Sequence, residues 1–150
     1  MIAENQQAPD FTLTADSGEE VTLSAFRGQK VVLYFYPKDD TPGCTKEACS
    51  FRDDYGQFLG KGAVVIGVSP DAEASHQRFR AKYGLPFYLL SDPEHRVAEA
   101  YGAWGEKKRF GKTSMGILRT TYVIDEEGKV ERVFENVRAE GHAQEVLAVL

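Results

Sequence analysis

The residues best able to do chemistry lie in one stretch, PKDDTPGCTKEACSF, residues 37–51, which carries both cysteines of the chain, Cys44 and Cys49. Thr41 precedes Pro42. A residue before proline avoids helical backbone angles, and proline is favoured as the first residue of a helix. The spacing therefore predicts Thr41 as a helix N-cap, Pro42 as the first helical residue and Cys44 as the third. A thiol at that position lies among backbone N–H groups with no partner one turn back, at the positive end of the helix dipole. Such a setting favours the thiolate, which is the nucleophilic form of cysteine. Cys49 follows five residues later, about 140° further round a regular helix. The helical rise and radius put the two Cα atoms roughly 8.7 Å apart, beyond the about 7 Å that a disulfide spans. An intact helix holds the two sulfurs apart.

Other readings of these residues stay open. Cysteine often serves as a small buried hydrophobe, and this reading has most force for Cys49. The Thr-Pro-Gly frame weighs against it for Cys44. A zinc site needs about four ligands, and His76, His95 and His142 lie singly along the chain, so no metal is expected. The GKT of Gly111, Lys112 and Thr113 is a fragment of a phosphate-binding loop. That motif requires a glycine five residues before Gly111, where Glu106 stands, and a strand leading into it; nucleotide binding is rejected. Lys38, Lys46 and Arg52 are expected to be solvated charges.

The elements that must position the cysteines follow from pattern. Two short strands near residues 11–14 and 21–23 are joined by a turn at 16–18. Residues 31–36, VVLYFY, form a continuous apolar run stopped by Pro37, as in a strand buried on both faces. The cysteine helix comes next, with Cys44, Ala48, Phe51, Tyr55 and Phe58 in one apolar stripe. A second buried strand spans residues 63–69, and the order strand–helix–strand demands a parallel pair with a right-handed crossover. A helix from an Asp71 N-cap to a Gly84 stop, a short strand in FYLLSD and a short helix in HRVAEAYG follow. Residues 103–118 show no clean period and are expected to form a long loop. Two strands flank a turn at 125–128, and an amphipathic helix with Ala143, Val146, Leu147 and Leu150 on one face closes the chain. The sum is an α/β fold: a mixed central sheet, helices on both faces and an N-terminal β-hairpin.

Bulk properties exclude some functions. The 150 residues suit one domain, 1–150. A net charge of -5 and a pI near 5.2 argue against a nucleic-acid partner. No apolar run approaches the about 20 residues of a membrane span, and the N-terminus lacks a signal-peptide pattern. The expected location is the cytoplasm, where a cysteine pair is more often catalytic, redox-active or metal-binding than structural.

The segment YPKDDTPGCTKEACSFRD resembles the active-site segment of peroxiredoxins, in the peroxiredoxin Q or bacterioferritin comigratory protein branch. APDFTL, VIGVSPD, LLSDPEHRVAEAYGAWG and RTTYVIDEEGKV are similar to further family segments, so the resemblance covers nearly the whole chain in order. It implies a thioredoxin-like fold and reduction of hydrogen peroxide or organic hydroperoxides without metal or bound cofactor. It implies Cys44 as the attacking thiolate, supported by Pro37, Thr41, Arg119 and the Cys44 N–H. It also implies Cys49 as the thiol that forms an intrachain Cys44–Cys49 disulfide, with a thioredoxin-type or glutaredoxin-type protein as reductant and a monomer as the working form. Two alternatives remain. One is a disulfide reductase on the same fold, disfavoured by the lack of Cys-x-x-Cys. The other is a redox-sensing or binding module switched by the same disulfide.

Overall fold

The computed structural model describes residues 2–150, apart from the side chain of Arg109. Its centre is three parallel strands, β3 (Lys30–Phe35), β4 (Ala63–Ser69) and β5 (Tyr88–Ser91). Parallel neighbours need long crossovers, and helices supply them. α1 (Pro42–Asp53) and α2 (Tyr55–Gly60) join β3 to β4, and α3 (Glu73–Tyr83) joins β4 to β5. Antiparallel strands complete both edges. The hairpin of β1 (Thr12–Ala15) and β2 (Glu20–Thr22) pairs onto β5. On the far side, β8 (Thr120–Ile124) pairs with β3 and then with β9 (Val130–Phe134). The sheet order is β2-β1-β5-β4-β3-β8-β9.

Side chains of β3 alternate between two apolar layers, as the strand pleat requires. Val32 and Tyr34 pack with Phe51, Phe58, Phe79 and Val146 under α1, α2, α3 and the C-terminal helix α5 (His142–Leu147). Val31, Leu33 and Phe35 pack on the other face with Val97 and Ala98 of α4 (Arg96–Ala100). Both faces of these strands are buried, so β3 and β4 read as nearly unbroken apolar runs. Gly67 of β4 makes room for one large member of the first layer: a Cβ there would lie 2.9 Å from the Tyr34 ring. Helices thus cover both faces, and the N-terminal hairpin is in place.

Four local expectations are corrected. The cysteine helix is two helices, because Asp54 leaves the helical region at φ -103°, ψ 9° and its carbonyl starts α2 by accepting from Gln57 and Phe58. Tyr55 is accordingly only half-buried, while Phe58 stays in the core. The N-cap of α3 is Ala72 rather than Asp71; the Asp71 carboxylate instead accepts the Asp39 N–H and the Ser69 hydroxyl. Residues 103–118 are not a loop. They contain a separate hairpin of β6 (Trp104–Arg109) and β7 (Lys112–Ile117). Its two-residue turn, Phe110 and Gly111, has φ of 52° and 74°, the all-positive form that suits strand twist. Both faces of β7 are exposed from Lys112 to Met115, so no alternation of apolar and polar residues marks it in the sequence. Finally, α5 ends at Leu147, and Leu150 packs against the same layer from beyond the helix. Among the described residues no helix is long and apolar enough to cross a membrane.

Candidate active site at the start of helix α1

Pro37 lacks an N–H and stands just past the end of β3, where the chain leaves the sheet. Four residues later Thr41 has the extended backbone of an N-cap, φ -95°, ψ 155°, and Pro42 begins α1. The Thr41 hydroxyl does not cap the helix; it donates to the Lys38 carbonyl at 2.9 Å. Its carbonyl accepts the Thr45 N–H at 2.8 Å. The Cys44 N–H therefore stands one position ahead of the first helical hydrogen bond, at the positive end of the helix.

Cys44 is 1% exposed. Arg119, in the two-residue link between β7 and β8, donates from Nη2 to the Cys44 sulfur at 2.9 Å. Its Nη1 donates to Glu47 Oε1, also at 2.9 Å. Glu47 lies one turn after Cys44 on the same face of α1 and is 1% exposed. Burial pushes its carboxyl from 4.5 up to about 7, against the downward pull of Arg119. The guanidinium is thus held as a fork between a sulfur and a carboxylate. Gly43 permits this approach, since a Cβ there would lie 3.0 Å from Arg119 Nη2. Below the site, the Tyr34 ring stacks on Phe51 at 4.9 Å and on Tyr36 at 5.4 Å.

Cys49 occupies a different environment. It is half-buried, where Cys44 is buried, and both are free thiols. It lines a cavity of about 390 Å³ with Lys46, Asp53, Asp54, Glu140 and Gln144. Burial pushes its thiol up; Arg52 opposes this and Asp53 adds to it. Arg52 is more than a solvated charge. It donates to the Tyr83 carbonyl at 2.8 Å and to Asp53 at 2.9 Å. The end of α3 also grips the approach to Thr41: Lys82 Nζ and the Tyr83 hydroxyl each donate to Asp40 at 2.8 Å.

Of the residues singled out in the sequence, the fold brings Cys44 and Arg119 into contact and sets Thr41 at the head of the same helix. It leaves Pro37 as the strand stop without a hydrogen bond to the sulfur, and it keeps Cys49 apart in its own cavity. Glu47 and Gly43 were not anticipated. Their signals were present: a glutamate three residues after Cys44 must share its face, and the glycine of Thr-Pro-Gly precedes the sulfur directly. Among the described residues no group of three or more His, Cys, Asp or Glu side chains is gathered to hold a metal ion.

A cysteine at a helix start, with a guanidinium on its sulfur, can attack an electrophilic atom whose leaving group departs as an anion. Residues 5–133 match the AhpC/TSA family. The putative peroxiredoxin bcp of Coxiella burnetii is 53% identical over 149 residues, covering 99% of this chain and 99% of that protein. The peroxiredoxin Bcp of Bacillus subtilis is 51% identical over 145 residues, covering 97% and 92%. The solved bacterioferritin comigratory protein of Xanthomonas campestris, described for its alkyl peroxide reduction activity, superposes with a TM-score of 0.91 at 38% identity, covering 97% and 96%.

Proposed function

This chain belongs to the AhpC/TSA family and is a thiol-dependent peroxidase, and from that premise we propose a division of labour among the residues at the start of α1. The Cys44 thiolate attacks one peroxide oxygen. The S–O bond forms as the O–O bond breaks, giving Cys44 sulfenic acid and an alkoxide or hydroxide that takes up a proton and leaves as alcohol or water. Negative charge moves from sulfur to the departing oxygen. Arg119 and the Cys44 N–H are the donors that lie where that charge develops. The Thr41 hydroxyl spends its proton on Lys38, so its oxygen is free to accept the peroxide O–H and orient it. Glu47 fixes the guanidinium, and Pro37 ends β3 so that the chain can turn into the helix.

Cys49 then attacks the sulfenic sulfur, water leaves, and a Cys44–Cys49 disulfide forms. A thiol reductant restores both thiols by exchange; we assign this to a thioredoxin-type or glutaredoxin-type protein. The alkyl peroxide activity of the Xanthomonas relative supports organic hydroperoxides beside hydrogen peroxide as substrates. An intrachain partner for Cys44 needs no second subunit, so the enzyme works as a monomeric single domain, and its thiol chemistry suits the cytoplasm.

The observation that carries this reading is the Arg119 Nη2 to Cys44 Sγ contact of 2.9 Å at a helix start. Stopped-flow peroxide consumption with thioredoxin and its reductase tests it. Wild type is expected to turn over repeatedly. Cys49→Ser is expected to consume one equivalent of peroxide and then stall as a sulfenic or overoxidised species. A wild-type rate no greater than that of a free thiol overturns the reading, and sustained turnover of Cys49→Ser removes Cys49 from it.

A further inference from the structure

Behind the reactive helix start, His76 of α3 is wholly buried. Its Nδ1 lies 2.6 Å from Asp39 Oδ2, and its Nε2 lies 3.0 Å from the Leu90 carbonyl oxygen. A neutral imidazole offers one donor and one acceptor. The Leu90 oxygen can only accept, so Nε2 carries a proton. Asp39 receives the Tyr36 hydroxyl on Oδ1 at 2.6 Å and the Ser75 hydroxyl on Oδ2 at 2.8 Å. Those are the bonds an ionised carboxylate takes, so Nδ1 carries a proton as well. The Asp39 N–H donates in turn to Asp71 Oδ2 at 2.7 Å. Residue 39, two places before the N-cap of α1, is therefore pinned through both side chain and backbone.

We propose that His76 is a positioning residue: as a doubly protonated ring it holds Asp39, fixes the chain entering the first turn of α1, and so sets how readily that turn opens for Cys49 to reach Cys44. This rests on the reading of the two cysteines given above. The electrostatics follow from the partners. A buried ion pair is tolerable when every donor and acceptor is engaged, as here. Removing the bridging proton leaves a ring lone pair 2.6 Å from a carboxylate and a buried charge without its counterion, which breaks the pin. The titratable groups facing His76 are Asp39 and Tyr36 from the segment between β3 and α1, and Asp71 from the segment between β4 and α3. β5 contributes the Leu90 carbonyl. Burial pushes the imidazole down, but Asp39, Leu90 and Asp71 together outweigh it and hold it above 6.5. A raised value for a base means the pin is complete below 6.5 and is lost as pH rises through the folded value. The first turn of α1 should therefore loosen toward alkaline pH.

Two measurements on the reduced protein test this together. Nitrogen-15 NMR reports the protonation of each His76 ring nitrogen, and hydrogen exchange, corrected for its intrinsic pH dependence, reports opening of residues 41–45. Both nitrogens are expected to be protonated at pH 6. Protection of residues 41–45 should fall at least fivefold in step with the His76 titration. In His76→Phe, protection should be low at pH 6 and should lack the step that follows the His76 titration, leaving only the change that Glu47 contributes. The rate from sulfenic acid to disulfide, compared at pH 6, should rise by a similar factor. A bare ring nitrogen at pH 6, or protection and disulfide rates within twofold of wild type with the same pH slope, overturns the proposal. If His76→Phe does not fold, the wild-type titration decides: protection unchanged across it overturns the proposal. Failure of Cys44 to react with peroxide would instead strike the peroxidase reading, while NMR and exchange still judge the pin.

Discussion

Cys44 is enclosed, with a guanidinium 2.9 Å from its sulfur and that guanidinium tied to a buried carboxylate. Cys49, five residues on, is half-buried beside a cavity lined by Asp53, Asp54 and Glu140, and burial together with Asp53 pushes its thiol up against the pull of Arg52. One helix thus carries a thiol surrounded by donors and a thiol held in its protonated form. The difference follows from helix geometry. Cys44, Glu47, Ala48 and Phe51 share the face turned to the sheet, and a five-residue step takes Cys49 off that face. Giving the two thiols such different surroundings therefore takes no separate element, only an offset that is not a whole number of turns.

The contrast can be broken or sharpened by substitution. Cys44→Ser should abolish peroxide reduction altogether, whereas Cys49→Ser should leave the first oxidation step nearly intact; rapid-mixing fluorescence of the single tryptophan, Trp104, or a coupled peroxide assay measures both. Equal losses in the two variants would erase the distinction. Arg119→Ala removes the donor found at Cys44 alone, and the second-order rate with peroxide should fall by about 10²–10³ in a protein whose circular dichroism is unchanged. Glu47→Gln keeps an acceptor for Arg119 but removes a titrating group. Because folding raises the Glu47 value from 4.5 to about 7, the folded state holds this proton more tightly, and wild-type stability should decline as pH rises from about 4.5 to about 7. Urea midpoints across that range should show a flatter profile in the variant. Gly43→Ala should have the smallest effect: its Cβ displaces the guanidinium by a few tenths of an ångström, slowing the peroxide step roughly threefold.

The sequence makes the reactive end of the helix legible because local rules govern it. Thr41 before Pro42 fixes an N-cap without reference to the rest of the chain, and the structure has it there. The apolar runs of β3 and β4 are equally local, and so is the Gly84 stop, which adopts φ 62°. What escaped depends on distant partners. Arg119 is 75 residues from Cys44, and only the family resemblance nominated it. Glu47 drew no role: its spacing from Cys44 sets its face, but the partner of its buried carboxylate is that same distant arginine. Asp71 has the type of an N-cap but is drawn to the Asp39 backbone, which the sequence separates from it by 32 residues. His76 stood as a lone histidine, though its place three residues before buried Phe79 marks it as facing the core. The β6–β7 hairpin escaped for another reason: with both faces of β7 in solvent, no alternation records it.

The central claim is that an intact α1 keeps Cys44 and Cys49 apart, so that their disulfide requires the helix to open. Hydrogen exchange by mass spectrometry on protein oxidised with one equivalent of peroxide, with the Cys44–Cys49 bond verified by peptide mapping, addresses it directly. The account predicts that amides of residues 42–49 lose most of their protection relative to the reduced protein, while those of β3 and β4 keep theirs. Unchanged protection across residues 42–49 in protein proven to hold the disulfide would contradict it.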